Sequence, residues 1–142
     1  MKAQEYLNQA RKIDLRIASK TAQIENLLSV ALKCTTTYSD MPKSHDDFNN
    51  PRENAIILIC DLKSEIQEDV RKLVALKREI AAVILAVPDE TQRTVLERRY
   101  LCYQKFEVIA DEMNYSIENI FRLHRIALKN VEIPEQYIKI QY

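Results

Sequence analysis

Between Ala3 and Lys33 apolar residues recur at Ala3, Tyr6/Leu7, Ala10, Ile13, Ile17, Ile24, Leu28 and Ala31, with Thr21 in the one gap. The steps are threes and fours, which puts these side chains on one stripe of an α-helix. Lys, Arg, Glu and Gln fill much of the other face, and so narrow a stripe needs a partner to bury it. Residues 34–51, CTTTYSDMPKSHDDFNNP, lose the period and predict a loop with the composition of a disordered segment. A second stripe follows at Ile56, Ile59, Leu62, Ile66, Val70, Leu73, Leu76, Ile80, Val83/Ile84 and Val87. Its helix starts at Pro51, with Asn50 as cap. Two stripes of about four heptads each predict a long antiparallel helical hairpin, coiled-coil-like and roughly 45 Å long, closed within one chain or against a second copy.

Val87-Pro88-Asp89 marks a boundary, because Pro88 disfavours α conformation at Val87 and Asp89 can cap a new helix. Beyond it the spacing predicts helices over Asp89–Leu101, Phe106–Met113 and about Ile117–Val131, with Cys102–Lys105 as a connection and Ser116 as N-cap of the last helix. The tail IPEQYIKIQY alternates and reads as a small strand or an arm. The reading is therefore all-α: a hairpin over 1–87, a helix-turn-helix over 88–133, and a C-terminal tail over 134–142.

The helix-turn-helix rests on particular residues. Two helices that cross over a short turn need a small residue at the crossing, and Ala110 supplies it. Ile109 and Met113 line the inner face of the first helix. Ile120, Leu123 and Ala127 anchor the second. Asn114 stands where the turn often has Gly, and Asn tolerates left-handed backbone better than other non-glycine residues. In a major groove the N-terminal part of the second helix faces the base edges. That face holds Ser116, Ile117, Glu118, Asn119, Phe121, Arg122 and Arg125. Arg122 suits guanine, Asn119 adenine and Glu118 cytosine, while Ile117 and Phe121 suit thymine methyls. Lys129, Lys105 and Arg98/Arg99 suit phosphates. A corner of this kind also occurs in helical bundles that bind no DNA.

Composition sharpens this reading. The chain of 142 residues has no Gly, where average usage would give about ten. It therefore has no Gly-rich phosphate loop, which argues against Walker-type and Rossmann-type nucleotide sites. The 21 basic and 21 acidic residues balance, so no global charge draws the chain to nucleic acid or membrane. Residues 116–130 carry three basic side chains and one acidic. So few positive charges neutralise few phosphates, which favours DNA binding by two or more copies or with a larger partner. Cys34, Cys60 and Cys102 are odd in number and have no zinc spacing, pointing to free thiols in a reducing cytoplasm. The start, MKAQEYLNQARK, is too polar for a signal peptide, and the apolar run AIILIC is too short to span a bilayer.

Other chemistry is weaker. His45-Asp46-Asp47 has no second His nearby and reads as a solvated loop. Glu107, Asp111 and Glu112 read as a solvated face, and Cys102 has no flanking base. His124 is expected to pack at the rim of the last helix, and Tyr100 and Tyr103 in the core or an interface. The expectation is no enzyme, no catalytic residue, no metal site, no cofactor and no small-molecule substrate.

The segment EVIADEMNYSIENIFRLHRIALKNV resembles region 4 of sigma-70 factors, through Ile109, Ala110, Ser116, Ile120, Leu123, Ala127 and Leu128. The preceding LERRYLCYQKFEVIA resembles the lead-in of phage regulators. With the hairpin and its KREI run at Lys77–Ile80, the chain resembles the ArpU/RinA-like late transcription regulators of Gram-positive phages and prophages. That resemblance implies sequence-specific binding to double-stranded phage DNA and control of late or packaging genes. The long hairpin offers a surface for a homo-oligomer, so the expected mechanism, in the bacterial cytoplasm, is presentation of the last helix to repeated or inverted half-sites by several copies, followed by recruitment of host RNA polymerase. The base-contacting positions fall on Ile117, Glu118, Asn119 and Arg122. Ile117 and Asn119 stand where sigma factors usually have Arg, so their promoter element is not carried over. Two other readings stay open. One is a DNA-packaging protein of the small-terminase type, although small terminases usually place the DNA-binding domain first. The other is an interaction module that binds polymerase or a regulator without touching DNA.

Overall fold

A computed structural model describes residues 1–37 and 50–140. The chain is all-helical, with no strand among the described residues. Helix α1 spans Ala3–Thr37 and α2 spans Pro51–Leu85. They are followed by α3 (Glu90–Leu96), a π-helical turn (Glu97–Leu101), α4 (Phe106–Met113) and α5 (Ile117–Lys129). No helix among the described residues is long and apolar enough to cross a membrane.

The helix ends follow from local chemistry. Asn50 Oδ1 accepts the N–H groups of Arg52 and Glu53 at 3.2 and 3.4 Å, which caps α2 just ahead of Pro51. Asp89 Oδ1 accepts the N–H of Gln92 at 3.0 Å and caps α3. Helix α1 runs one turn past Lys33, into the span expected to be loop. The rest of that expected loop, 38–49, lies outside the described residues, as does His45-Asp46-Asp47. The helix expected over Asp89–Leu101 changes hand-hold at its end. The Cys102 N–H bonds to the Glu97 carbonyl at 3.1 Å, five residues back, so its last turn is wider than an α turn.

The chain divides into two compact units, Leu15–Arg71 and Met1–Asp14 with Lys72–Tyr142. The division falls inside α1 and α2, and α2 ends just ahead of Pro88.

In the Leu15–Arg71 unit the two helical segments run in opposite directions. Arg16 and Lys20 meet Asp69 at 3.6 and 2.7 Å, and Lys20 meets Glu65 at 3.5 Å. The inward positions of α1 are Ile17, Lys20, Ile24, Leu27 and Ala31; those of α2 are Ala55, Ile59, Leu62, Ile66 and Asp69. Both sets alternate steps of three and four, a strict heptad. This corrects the stripes read from apolar residues alone. Leu28, Ile56 and Val70 are 42–48% exposed, and Thr21 lies on the outside, its hydroxyl donating to the Ile17 carbonyl at 2.8 Å. The register places Leu27, Ala55, Asp69 and Lys20 inward instead.

The other unit buries Tyr6, Leu7, Ala10 and Ile13 of α1, and Leu73, Leu76, Ile80, Val83 and Ile84 of α2. It also contains α3, α4 and α5. Its segment 131–140 is an arm with neither helix nor strand. The Gln9 side chain, 3% exposed, acts as a substitute peptide group. Its Nε2 donates to the Ile138 carbonyl at 3.1 Å, and its Oε1 accepts the Ile140 N–H at 2.9 Å. The Glu79 carboxylate accepts the Ile138 N–H at 3.1 and 3.2 Å and the Tyr6 hydroxyl at 2.6 Å. Burial and this carboxylate push the Tyr6 hydroxyl's pKa up. The Tyr137 ring meets Tyr6 edge-on at 5.8 Å, and Ile140 is buried.

Without Gly, the chain makes its left-handed turns with other residues. Tyr103 has φ 57° and Asn114 φ 58°. Asn114 is a position the sequence marks. Tyr103 is not, and its bulky side chain gains in return a cation–π contact with Lys77, whose Nζ is 4.8 Å from the ring centre.

Candidate nucleic-acid interface

Helices α4 and α5 are held by a turn over Asn114–Ser116. Asn114 takes φ 58°, ψ 40°, which lets the Tyr115 N–H reach back to the Ala110 carbonyl at 3.0 Å and close the end of α4. The Ser116 hydroxyl then accepts the Asn119 N–H at 3.2 Å and caps α5. Ile109, Ala110, Ile120 and Val95 form one buried cluster, with Phe106, Met113 and Leu123 packed against it. Ala110 lacks the bulk that would keep the helices apart.

Burying Ile120, His124 and Ala127 turns the opposite face of α5 outward. Glu118, Arg122, Arg125 and Lys129 lie exposed on it at steps of four, three and four. Phe121 is 42% exposed on one flank. Ile117 and Asn119 are half-buried and Ser116 is exposed. Lys105 is exposed just ahead of α4. The candidate residues are thus gathered on one helix, its cap and the start of its neighbour. Arg122 is tied to Asn119: its Nε and Nη2 donate to Asn119 Oδ1 at 3.2 and 2.8 Å.

Two other arginines suited to phosphate are engaged within the fold. Arg98 pairs with Glu112 and donates to Gln104 Oε1 at 3.5 Å. Arg99 donates to the Gln104 carbonyl at 3.0 Å and lies over the Phe106 ring at 4.1 Å. Together they fix the Cys102–Lys105 connection and hence the start of α4.

His124 is a core residue and not, as expected from sequence, a rim residue. It is 7% exposed. Its Nε2 is hydrogen-bonded to the Tyr100 hydroxyl at 2.6 Å, and its ring meets Phe106 edge-on at 5.0 Å. Burial, helped by the nearby Arg99 charge, lowers its pKa to about 4. Burial pushes the Tyr100 hydroxyl up to about 12. Sequence reasoning missed this pair because Tyr100 and His124 are far apart in the chain. The Asn119–Arg122 bond carried a signal, the three-residue helical spacing of an acceptor and a donor.

An open groove of about 620 Å³ runs beside α5, lined by Phe106, Phe121, His124 and Leu128 with the polar Gln4, Glu118 and Arg125. Glu107 and Asp111 are exposed on α4. No group of three or more His, Cys, Asp or Glu side chains converges as metal ligands do among the described residues. Cys60 and Cys102 are exposed thiols. Compared with known proteins, the chain matches no family model, no curated protein and no solved structure.

Proposed function

We propose that this chain is a non-enzymatic, sequence-specific DNA-binding transcription regulator of phage or prophage late genes. It places α5 in the major groove of double-stranded DNA and works as an oligomer with host RNA polymerase. Helices α4 and α5 serve as a helix-turn-helix, and α1 with α2 as the antiparallel hairpin through which copies or partners assemble. The observation that carries the reading is the outward face of α5, where Arg122, Arg125 and Lys129 stand exposed on a helix whose other face is locked by Ile120, His124 and Ala127. The left-handed Asn114 and the Ser116 cap support it, since they set the start of the helix that a groove would receive. Lys105 and Lys129 flank this face as phosphate contacts.

The test is selection of bound fragments from the source genome by the full chain, with an Arg122→Ala/Arg125→Ala variant in parallel. A sharp site that the variant loses is the expected result. No enrichment by a folded wild-type chain overturns the reading. That outcome favours a second one, a protein-interaction module. The groove beside Phe106, Phe121 and Leu128, rimmed by Glu118 and Arg125, supports this alternative, because exposed aromatic surface with a charged rim suits a protein partner.

A further inference from the structure

We infer that Asn119 is a positioning residue for Arg122 and not itself a reader of adenine, an inference that rests on α5 being the DNA-reading helix. To read adenine, an Asn side chain accepts from N6 with its oxygen and donates to N7 with its amide. Here Asn119 Oδ1 already accepts two N–H groups from Arg122, at 3.2 and 2.8 Å. The backbone beneath is fixed as well, because the Asn119 N–H bonds to Ser116 Oγ at 3.2 Å. Asn119 is half-buried, while Arg122 is exposed and points outward.

The geometry also selects which part of Arg122 meets the base. A guanidinium is a planar fork with a side edge, Nε and one Nη, and an end edge, Nη1 and Nη2. Asn119 occupies the side edge. The end edge remains, and two parallel N–H groups there match guanine O6 and N7. Holding the fork in one orientation before contact removes part of the rotamer entropy that an exposed Arg loses on binding. Arg122 and Asn119 thus act as one reader of one guanine, and the operator has no adenine requirement set by Asn119.

The experiment first selects the wild-type site, then measures Kd for that site and each single-base variant of it. The proteins are the full-length wild type, Arg122→Ala, Asn119→Ala and Asn119→Asp. Wild type should prefer guanine at one position by roughly 5- to 150-fold. Asn119→Ala should weaken that preference toward the Arg122→Ala value, with other positions and the salt dependence unchanged. Asn119→Asp should keep it, because a carboxylate accepts the same two N–H groups, and it also controls for damage to α5. An Asp variant that loses an adenine preference elsewhere in the site shows Asn119 reading directly and overturns the inference. So does an Ala variant with guanine preference intact. If wild type selects no site at all, the DNA-binding reading itself falls, and this inference with it.

Discussion

The ammonium of Lys20 on α1 lies 2.7 Å from the carboxylate of Asp69 on α2, and each occupies a seam position of its heptad. Asp69 is 5% exposed, and Arg16 approaches it from one turn away at 3.6 Å. A polar pair at the seam lowers stability relative to apolar packing but fixes register, because sliding either helix leaves a charge unpaired. Lys20→Met alone should therefore destabilise the chain, and Asp69→Leu alone should leave Lys20 without its nearest acceptor. Each is expected to cost about 2–4 kcal/mol in urea unfolding. The double variant Lys20→Met/Asp69→Leu should recover most of that loss. Single variants as stable as wild type would show that the pair sets nothing.

The same pair shows where the sequence was legible and where it was not. Periodicity placed the helices and their caps, because Asn50, Asp89 and Ser116 cap through local bonds. It places Ile17, Ile24, Ala31, Ile59, Leu62 and Ile66 on the seam correctly, but misplaces Leu28, Ile56 and Val70, which are exposed. A reader ranking residues by hydrophobicity takes Val70 over Asp69 and Leu28 over Leu27. The packing takes whichever residue the strict heptad turns inward, and accepts Asp69 because Lys20 and Arg16 stand opposite it. The Ile109–Ala110–Ile120 corner was legible because its anchors are close in sequence. The Tyr100–His124 pair and the Gln9–Ile140 contact were not, since nothing local marks contacts between residues so distant along the chain.

His124 gives the unit a pH dependence. Its folded pKa is lowered to about 4, against about 6.5 in an unfolded chain. A lowered pKa in a base means the unfolded state takes up protons first. The stability that neutral His124 contributes is therefore fully present above about pH 6.5 and is lost as pH falls toward 4. Thermal midpoints measured across that window should fall for wild type, and the His124→Gln variant should fall less steeply. Parallel curves for the two would place the pH dependence elsewhere.

The arm depends on Gln9. Gln9→Ala removes both the donor to Ile138 and the acceptor for Ile140. The side chain is buried, so the groups it leaves behind lose bonds that water cannot easily replace. The expected cost is about 1–3 kcal/mol. Hydrogen exchange at the Ile140 amide should speed up by roughly ten-fold or more, while exchange at Ile120 in the α4–α5 core stays within a few-fold. Uniform acceleration at both amides would mean that the arm and core open together.

Asn114 tests the turn. At φ 58° a side chain with a branched Cβ meets the backbone, and even Asn is less at ease there than Gly. Asn114→Gly should stabilise the chain slightly or leave it unchanged, by up to about 1 kcal/mol. Asn114→Val should destabilise it by about 1–2 kcal/mol. Equal stability for Val and Asn would mean that the turn can adopt other backbone geometry.

Lys105 and Lys129 separate backbone contact from base reading. Both are exposed beside the outward face of α5, at positions suited to phosphate oxygens. Lys105→Ala or Lys129→Ala should weaken binding to the selected site and to unrelated duplex alike. Each should also reduce the slope of log affinity against log salt by about one per DNA-bound copy. Arg122→Ala should instead lose preference at one base position. This contrast follows from the chemistry of the contacts: a phosphate is the same at every step of the duplex, whereas a guanine edge is not. A Lys129→Ala variant that changes base preference but leaves the salt slope intact would move Lys129 from the phosphate backbone to the groove.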